Sequence, residues 1–193
     1  MDTQVAIKAL ELFSEKIIDN KEYLSELDTP IGDGDHGGNM VRGVKALQES
    51  LAEDEFDSAA DVFKTAAKAL MGKVGGASGP LYGSAFLQIS KALADGDDLL
   101  EALEAGRDGI TKRGKSSVGD KTMVDVWTPA LELLADGDVS TDDLAQLAED
   151  TKELKAKKGR ASYLGDRSVG HIDPGAMSSV YFFQALVEAE AVK

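Results

Sequence analysis

Apolar residues recur at three- and four-residue spacing along most of this chain, and no segment shows the strict alternation of a half-buried β-strand. This pattern predicts helices joined mostly by short loops. Eight are predicted, over 3–18, 36–51, 58–74, 81–93, 98–113, 122–135, 140–157 and 176–191. Short connections favour antiparallel neighbours, so we expect an all-α, up-and-down arrangement. No low-complexity linker divides the chain, and we expect residues 1–193 to form a single domain.

The segment before the second predicted helix concentrates acidic and flexible residues. Asp28 precedes a proline by two positions, and Asp33 and Asp35 alternate with glycine, so no bulky neighbour separates the last two carboxylates. Three carboxylates that face one point repel each other unless a cation lies between them. A set of oxygen ligands without cysteine suits Mg²⁺ or Ca²⁺ rather than zinc. The sequence therefore predicts a metal site formed by Asp28, Asp33 and Asp35.

The next four residues are predicted to form the first turn of a helix. They are His36, Gly37, Gly38 and Asn39. The free N–H groups of a helix N-terminus bind anions, and glycines allow a phosphate to approach the backbone. A metal ion held by the neighbouring carboxylates could bridge them to such a phosphate. We therefore expect a metal-bound phosphate here, with His36 as a hydrogen-bond donor, although a phosphorylated histidine remains an alternative.

Simpler interpretations of this segment stay open. Asp-Gly-Asp is common in turns, and Asp35 could serve only as the N-cap of the helix. A calcium-binding hand is the nearest competing motif, with Asp33 and Asp35 at its first and third positions. That motif fails at its fifth position, which is Gly37, and at its twelfth, where Val44 replaces the bidentate glutamate.

Composition limits the partners of such a chain. The net charge of −14 argues against binding to nucleic acid or to an anionic membrane through the general field, so a phosphate ligand needs local cations. No apolar run reaches the length of a transmembrane helix, and the N-terminus lacks the features of a signal peptide. There is no cysteine, which excludes disulfides and thiol chemistry. We expect a cytoplasmic protein.

The loops of the predicted bundle fall into two kinds. The loops 52–57, 94–98 and 136–140 are short and acidic, whereas four others are rich in glycine and polar residues. The four are 28–35, 75–80, 114–121 and 159–175. Alternate loops of an up-and-down bundle lie at the same end, so we expect these four to converge at one pole.

Two of these loops could complete a ligand site. The segment 75–80 is either a helix C-cap with a turn or a second phosphate cradle in which Ser78 donates its hydroxyl; it is not a P-loop, since no Gly-Lys-Ser/Thr follows. Gly114 and Met123 could border an apolar slot for a base, although Met123 is equally compatible with a core position.

The last loop leads into the final helix. Asp173 could be only the N-cap of that helix or could also contact a ligand, and Pro174 and Gly175 follow it directly. Arg160 and Arg167 could neutralise phosphate or lie on a solvated rim that docks a partner.

Four motifs together resemble the nucleotide-binding L domain of dihydroxyacetone kinases. They are Asp28 with Gly32-Asp33-Gly34-Asp35-His36-Gly37-Gly38-Asn39, Gly75-Gly76-Ala77-Ser78-Gly79-Pro80, Gly119-Asp120-Lys121-Thr122-Met123, and Asp173-Pro174-Gly175-Ala176. The resemblance covers essentially the whole chain, and the motif set is specific. With no dihydroxyacetone-binding domain attached, the chain is similar to the separate ADP-binding L subunits of the bacterial phosphotransferase-system-dependent enzymes. One departure is Gly38, where relatives often carry a larger residue.

The resemblance implies a closed barrel of eight antiparallel helices with ADP at one end. It implies two Mg²⁺ ions held by Asp28, Asp33 and Asp35. The remaining site residues that it implies are His36, Gly37, Gly38, Asn39, Ala77 and Ser78 at the phosphates, Gly114 and Met123 at the adenine, and Arg160, Asp173, Pro174 and Gly175 at the edge of the site.

The resemblance also implies a division of labour. The nucleotide is a tightly retained coenzyme, a phosphohistidine carrier (M) subunit rephosphorylates ADP to ATP, and the γ-phosphoryl group passes to dihydroxyacetone on a separate K subunit. The sequence offers no catalytic triad and no clear base for a sugar hydroxyl, so we expect that base on the partner. Three alternatives remain: an L subunit that uses exchangeable ATP, a nucleotide-sensing regulator of a transcription factor, and a helical barrel that binds a lipid.

Overall fold

Helices supply all the regular secondary structure in the described part of the chain. The structure is a computed structural model that describes residues 1–137 and 139–192. Its α-helices are α1 (Thr3–Asp19), α2 (Lys21–Asp28), α3 (His36–Glu53), α4 (Ala59–Lys73), α5 (Ser78–Asp95), α6 (Leu99–Gly114), α7 (Val124–Asp136), α8 (Thr141–Asp150) and α9 (Pro174–Glu188). Two 3₁₀ segments, Thr151–Glu153 and Arg160–Ser168, lie between α8 and α9. None of the described helices combines the length and the apolarity needed to cross a bilayer.

Local sequence signals explain several of the helix ends. Asp98 and Ser140 each form a reciprocal capping box with the residue three positions later, which satisfies free N–H groups at the starts of α6 and α8. Gly96 and Gly137 end α5 and α7 in the left-handed conformation that glycine adopts at low cost. These signals place the short connections at the pole away from the glycine-rich loops.

The all-α prediction is confirmed for the described residues, but several boundaries differ. The segment 21–28, expected to be a break or a short helical extension, is a separate helix, α2. Helix α5 begins at Ser78 rather than at 81. The predicted helix 140–157 ends at Asp150, because tertiary contacts take over its last turn. The acidic turn predicted over 136–138 includes Asp138, which lies outside the described residues.

Those tertiary contacts centre on Thr151, which is 1% exposed. Its hydroxyl donates to the carbonyl of Ala148 (2.6 Å) and accepts from the N–H of Asp173 (3.0 Å). Its carbonyl accepts from the ammonium group of Lys121 at 2.6 Å. The end of α8 is thereby bound to the start of α9 and to the loop before α7.

Each long helix packs against its neighbour along the chain, and α9 packs against both α8 and α1. The short helix α2 lies against α3 and α9. The apolar faces of the helices form one continuous core. Aromatic rings occupy its centre, where Phe182 of α9 lies 5.0 Å from Phe86 and stacks on Trp127 at 5.4 Å between ring centroids. Because α9 is buried on most of its surface, its sequence is apolar nearly all round.

Candidate functional site

A cavity of about 540 Å³ lies where the four glycine-rich loops meet. Residues from the connections α2–α3, α4–α5, α6–α7 and α8–α9 all line it. The convergence of these loops, predicted from their alternation along the chain, is therefore present in the structure. Ten of the twelve predicted nucleotide-contacting residues and all three predicted metal ligands lie in its wall.

The acidic end of the cavity is built around Asp28, the last residue of α2. Its Oδ2 atom accepts hydrogen bonds from the N–H groups of Asp35 (3.0 Å) and His36 (3.2 Å). Asp28 therefore satisfies the start of α3, whereas the side chain of Asp35, at the N-cap position, makes no capping hydrogen bond. The alternative that Asp35 acts only as a cap is wrong. A Cβ atom at Gly32 would lie 2.8 Å from the Asp28 carboxyl carbon, so glycine is needed there.

Asp28, Asp33 and Asp35 each offer one carboxylate oxygen, and these oxygens lie within 4.8 Å of one another. Asp28 is buried, whereas Asp33 and Asp35 are exposed. An all-carboxylate set with an open side suits a hard divalent cation that keeps water or phosphate oxygens as its other ligands. Arg160 forms an ion pair with Asp33 and offsets part of the negative charge. The donor set present therefore fits Mg²⁺.

His36 lies beside these carboxylates in the cavity wall, and both of its ring nitrogens have partners. Nδ1 is 3.3 Å from the hydroxyl of Ser78, and Nε2 is 3.1 Å from that of Ser178. Burial lowers the pKa of His36 to about 4, and the nearby carboxylate of Asp35 opposes this shift. The imidazole is therefore neutral at physiological pH and brings no positive charge to a bound anion.

The two glycines after His36 do not line the cavity. A Cβ atom at Gly37 would overlap the carbonyl oxygen of Lys21 and lie 2.8 Å from the Ser25 hydroxyl, so Gly37 allows α2 to cross α3 closely. Gly38 has open space around it. Any contact that they make with a phosphate would go through their backbone. Asn39, one residue on, does line the cavity and accepts a hydrogen bond from Arg42.

The second glycine-rich loop places another helix N-terminus at the cavity. Gly76 has a positive φ of 66°, and α5 begins two residues later at Ser78 with no side-chain cap. The first N–H groups of α5 are therefore available to an anion. A Cβ atom at Gly75 would lie 2.5 Å from the side-chain oxygen of Asn39, which explains the absence of a side chain there.

The far side of the cavity is apolar. Met123 belongs to the core and also lines the cavity, so its position is compatible with both alternatives. Gly114 keeps the wall thin, since a Cβ atom there would lie 3.2 Å from a methyl carbon of Leu81. Leu81 and Ile110 also line this side and were not predicted, because their spacing marks them only as inward helix positions. The surface suits a flat apolar group such as a nucleobase.

Basic residues complete the wall. Arg160 lies there as predicted, together with Arg113, Lys121 and Lys158, whereas Arg167 does not line the cavity. Lys121 is 1% exposed and donates to the carbonyl oxygens of Thr151 and His171. Burial lowers the pKa of Lys121, and the carboxylates of Asp173, Asp125 and Glu153 oppose this. In sequence, a lysine among turn residues looks like an ordinary solvent-exposed lysine. The sequence therefore did not indicate that Lys121 is buried and donates to two backbone carbonyls.

Asp173 is the N-cap of α9, and it also lines the cavity. Its Oδ2 atom accepts from the N–H of Ala176 at 2.8 Å and caps α9, and the residue lines the cavity together with Pro174 and Gly175. Burial raises the pKa of Asp173 to about 7; the N–H of Ala176 and the ammonium group of Lys121 lower it, whereas the Asp125 and Asp28 carboxylates raise it. This carboxyl group therefore titrates close to neutral pH.

Taken together, the cavity joins a cluster of three carboxylates, two helix N-termini and an apolar slot. Such an order matches the metal-bound polyphosphate and the base of a nucleotide. His36 is not positioned as a free general base, because both of its ring nitrogens have hydrogen-bond partners.

Comparison with known proteins supports this interpretation. The model of the DAK2 domain family matches residues 30–188. The chain is 50% identical over 193 residues to the PEP-dependent dihydroxyacetone kinase 1, ADP-binding subunit DhaL, of Listeria innocua, with 98% of each chain covered. It is 52% identical over 185 residues to the PTS-dependent dihydroxyacetone kinase, ADP-binding subunit DhaL, of Lactococcus lactis, with 96% of each chain covered. The corresponding Escherichia coli subunit is 39% identical over 184 residues, covering 87% of this chain and 88% of that one.

Solved structures show the same fold. The chain superposes on the dihydroxyacetone kinase of C. freundii in its native form with a TM-score of 0.77 and 25% identity. It superposes on the same kinase in complex with AMP-PNP and Mg²⁺ with a TM-score of 0.78 and 26% identity. In both cases 97% of this chain is covered, but it spans only about a third of the solved chain, 35% and 34% respectively.

Proposed function

This chain belongs to the DAK2 domain family, and from that premise we propose that it is the ADP-binding subunit of a phosphoenolpyruvate-dependent dihydroxyacetone kinase. The curated relatives that match it over nearly their whole length carry that name. The single observation that carries the proposal is the cavity in which three carboxylates lie beside the first turns of α3 and α5.

In the proposed reaction the protein carries the nucleotide and does not release it. A phosphohistidine carrier (M) subunit donates its phosphoryl group to the β-phosphate oxygen of bound ADP, so the N–P bond breaks and an O–P bond forms. The γ-phosphoryl group then passes to a hydroxyl of dihydroxyacetone on a separate K subunit, which supplies the base that takes the proton. The product is dihydroxyacetone phosphate. Phosphoryl transfer requires mainly positioning and charge neutralisation, which the carboxylate cluster with its metal ions, the helix N-termini and Arg160 would supply.

The proposal assigns a role to each part of the wall. Asp28, Asp33 and Asp35 hold two Mg²⁺ ions, which neutralise the phosphate charge when bound. The phosphates lie against the segment 36–39 and against Ala77 and Ser78, which is supported by the first N–H groups of α5, since that helix has no side-chain cap. Gly114 and Met123 border the adenine, and Arg160 with the segment 173–175 completes the site.

The proposal extends to the whole molecule. The packing of each long helix on the next, and of α9 on α1, supports a closed barrel of eight antiparallel helices with the nucleotide at one pole. The continuous core supports one nucleotide-binding domain over residues 1–193. We place the protein in the cytoplasm because its proposed phosphoryl donor belongs to the phosphotransferase system.

The first experiment identifies what the protein carries. The protein is purified without added nucleotide and denatured, the released nucleotide is identified by chromatography, and magnesium is measured in the same sample. Near-stoichiometric ADP after extensive dialysis supports a retained coenzyme, and about two magnesium ions per chain support the metal assignment. A protein that is empty but binds ATP reversibly supports a subunit that uses exchangeable ATP. A protein that binds no nucleotide with magnesium present contradicts the proposal.

A second experiment tests turnover. With K and carrier subunits and phosphoenolpyruvate present, we expect dihydroxyacetone phosphate to form only when all components are mixed. Nucleotide binding without turnover in the complete mixture would instead support a nucleotide-sensing partner of a transcriptional regulator.

A further inference from the structure

A row of buried polar groups runs from the cavity wall into the core. The hydroxyl of Ser78 is 3.3 Å from Nδ1 of His36, and Nε2 of His36 is 3.1 Å from the hydroxyl of Ser178. The hydroxyl of Ser178 is in turn 2.9 Å from that of Tyr82. Only Ser78 and His36 touch the cavity, and Ser178 and Tyr82 lie behind them.

The inner members of this row are costly to bury. Ser178 and Tyr82 are fully buried, and the ring of Tyr82 lies 5.9 Å from both Phe13 and Phe86 in the aromatic core. A polar group at such a place destabilises the fold unless every donor and acceptor is satisfied, and an apolar side chain of the same shape would fit at lower cost. The row therefore needs a reason beyond packing.

Trp127 and Ser179, which lie beside this row, help to assign the positions of the hydroxyl protons. The indole N–H of Trp127 can only donate, and its partner is the hydroxyl of Ser179 at 3.1 Å. Ser179 then donates its own proton to the carbonyl of Gly175 at 2.8 Å. Tyr82 is closer to Ser178 (2.9 Å) than to Ser179 (3.4 Å), and either hydroxyl of the closer pair can donate. We assign the donated proton to Tyr82, because its phenolic O–H is more acidic than the hydroxyl of serine.

Two proton arrangements remain for the outer members. In the first, Ser178 donates to Nε2 of His36, the ring proton is on Nδ1 and donates to Ser78, and the proton of Ser78 is free to point into the cavity. In the second, Ser178 shares the carbonyl of Gly175 at 3.1 Å, His36 donates from Nε2, and Ser78 uses its proton on Nδ1. Only in the first arrangement is the hydroxyl proton of Ser78 free to be donated into the cavity.

We propose that Ser178 and Tyr82 are positioning residues that hold His36 with its proton on Nδ1, so that Ser78 donates its hydroxyl to the phosphate of the bound nucleotide. The inference rests on the proposed function, since it needs an anion in the cavity. An anion selects the first arrangement because it interacts more favourably with that state than with the second. Successive donors along the row also polarise one another, which strengthens the last hydrogen bond.

The ring proton of His36 is the direct test. The chain has two histidines, so the ¹⁵N signals of His36 are assigned by comparing the wild type with His171→Gln. In protein loaded with Mg-ADP at constant pH, we expect signals of a neutral ring protonated on Nδ1. Protonation on Nε2 in the loaded protein overturns the proposal.

The second test is a cycle of substitutions read out by the release of radiolabelled ADP into an unlabelled chase. Ser178→Ala and Tyr82→Phe are expected to speed release, the first about 3- to 10-fold, the loss of roughly one neutral hydrogen bond. In a Ser78→Ala background neither substitution should change release further, because the row acts only through that hydroxyl. A purely structural role would give equal effects in both backgrounds.

The matched control is Ser90→Ala, also on α5. Its buried hydroxyl donates to the carbonyl of Ala60 at 2.7 Å and is not part of the row, so release should be unchanged in either background. If the wild type binds Mg-ADP but Ser178→Ala releases it at the wild-type rate, the proposal is overturned and the proposed function stands. If the wild type binds no Mg-ADP, both are overturned.

Discussion

The three predicted metal ligands differ in how much the fold depends on them. Asp28 accepts two backbone hydrogen bonds at the start of α3, whereas Asp35 is exposed and caps nothing. We therefore expect Asp35→Ala to abolish the binding of Mg-ADP while leaving helicity and unfolding temperature nearly unchanged. Asp28→Ala should lose binding and also about 1 kcal/mol or more of stability, as for a lost cap.

Isothermal titration and circular dichroism check both expectations. Glu55→Ala is the matched control, because it removes one exposed negative charge from a loop that does not line the cavity. Tight ADP binding by Asp35→Ala would contradict the assignment of this residue as a metal ligand.

The raised pKa of Asp173 makes stability depend on pH. Burial raises this pKa to about 7 in the folded protein, whereas an unfolded aspartate titrates near its ordinary value of 3.8. Between these two pH values the Asp173 carboxyl group is protonated in the folded state but ionised in the unfolded state. The stabilisation that this proton gives the fold is therefore fully present below about pH 4 and is lost as the pH rises towards 7. Asp173→Asn keeps the cap and removes the titration.

In protein free of nucleotide and metal, the unfolding free energy of the wild type should therefore fall relative to that of Asp173→Asn by about 3 kcal/mol between pH 4 and pH 7. Urea titrations at a series of pH values measure it. A difference that stays constant over this range would show that Asp173 titrates normally.

At the residue scale, the spacing of residues along the chain predicted those site groups whose partners are close in sequence. The Asp-Gly-Asp pattern and the carboxylate five residues upstream are such a case, and the structure brings all three together. Lys121, Leu81 and Tyr82 were not predicted to have roles at or behind the site. Their neighbours in space come from other helices, so their own sequence context is that of an ordinary loop or core residue.

At the element scale, the crossing of α2 over α3 gives two adjacent glycines opposite environments. A Cβ atom at Gly37 would overlap the backbone of α2, whereas Gly38 has open space. Gly37→Ala should therefore destabilise the protein by about 1–3 kcal/mol through overpacking. Gly38→Ala should be neutral or stabilise it by up to about 1 kcal/mol, because alanine favours the helix.

Denaturant unfolding of the two variants side by side measures the difference, and each serves as the control for the other. Equal stability of Gly37→Ala and Gly38→Ala would mean that α2 does not pack closely against the first turn of α3. The open space at Gly38 also explains how a larger residue can be accommodated at this position.

Element boundaries were the less predictable part of the fold. The apolar periodicity located the long helices, because it reflects which face of each is buried. It could not show that α8 ends at Asp150, since that end depends on the hydrogen bonds of Thr151 to Lys121 and Asp173, which are distant in sequence. For the same reason the 3₁₀ segment Arg160–Ser168 was expected to be a loop.

At the scale of the whole molecule, the cavity is assembled from four connections spread from residue 28 to residue 175. A ligand that contacts all four stabilises the folded state alone, by about 2.7 kcal/mol at a hundredfold excess over its Kd. For a domain of this size that corresponds to an increase in unfolding temperature of about 5–10 °C. Stripping Mg-ADP with a chelator and dialysis should lower the midpoint by this amount, and adding both back should restore it.

Calorimetry of the loaded, stripped and reloaded protein checks this, with Asp35→Ala as the control that should not respond. A midpoint that is insensitive to stripping would contradict a nucleotide held between the loops.

The convergence of the four loops was predictable, because acidic and glycine-rich loops alternate along the chain and alternate loops of an up-and-down bundle lie at the same end. The order of groups within the cavity was not, since it depends on side-chain packing.

Trp127 has a consequence for how the protein can be studied. It is the chain's sole tryptophan, it is fully buried, and its indole N–H donates to Ser179, the residue that follows Ser178 in α9. The emission of this one indole is therefore expected to change when nucleotide enters the cavity, and to change less in Ser178→Ala. The protein thus contains an intrinsic optical probe, and stopped-flow fluorescence could follow loading, phosphoryl transfer and partner docking without a label.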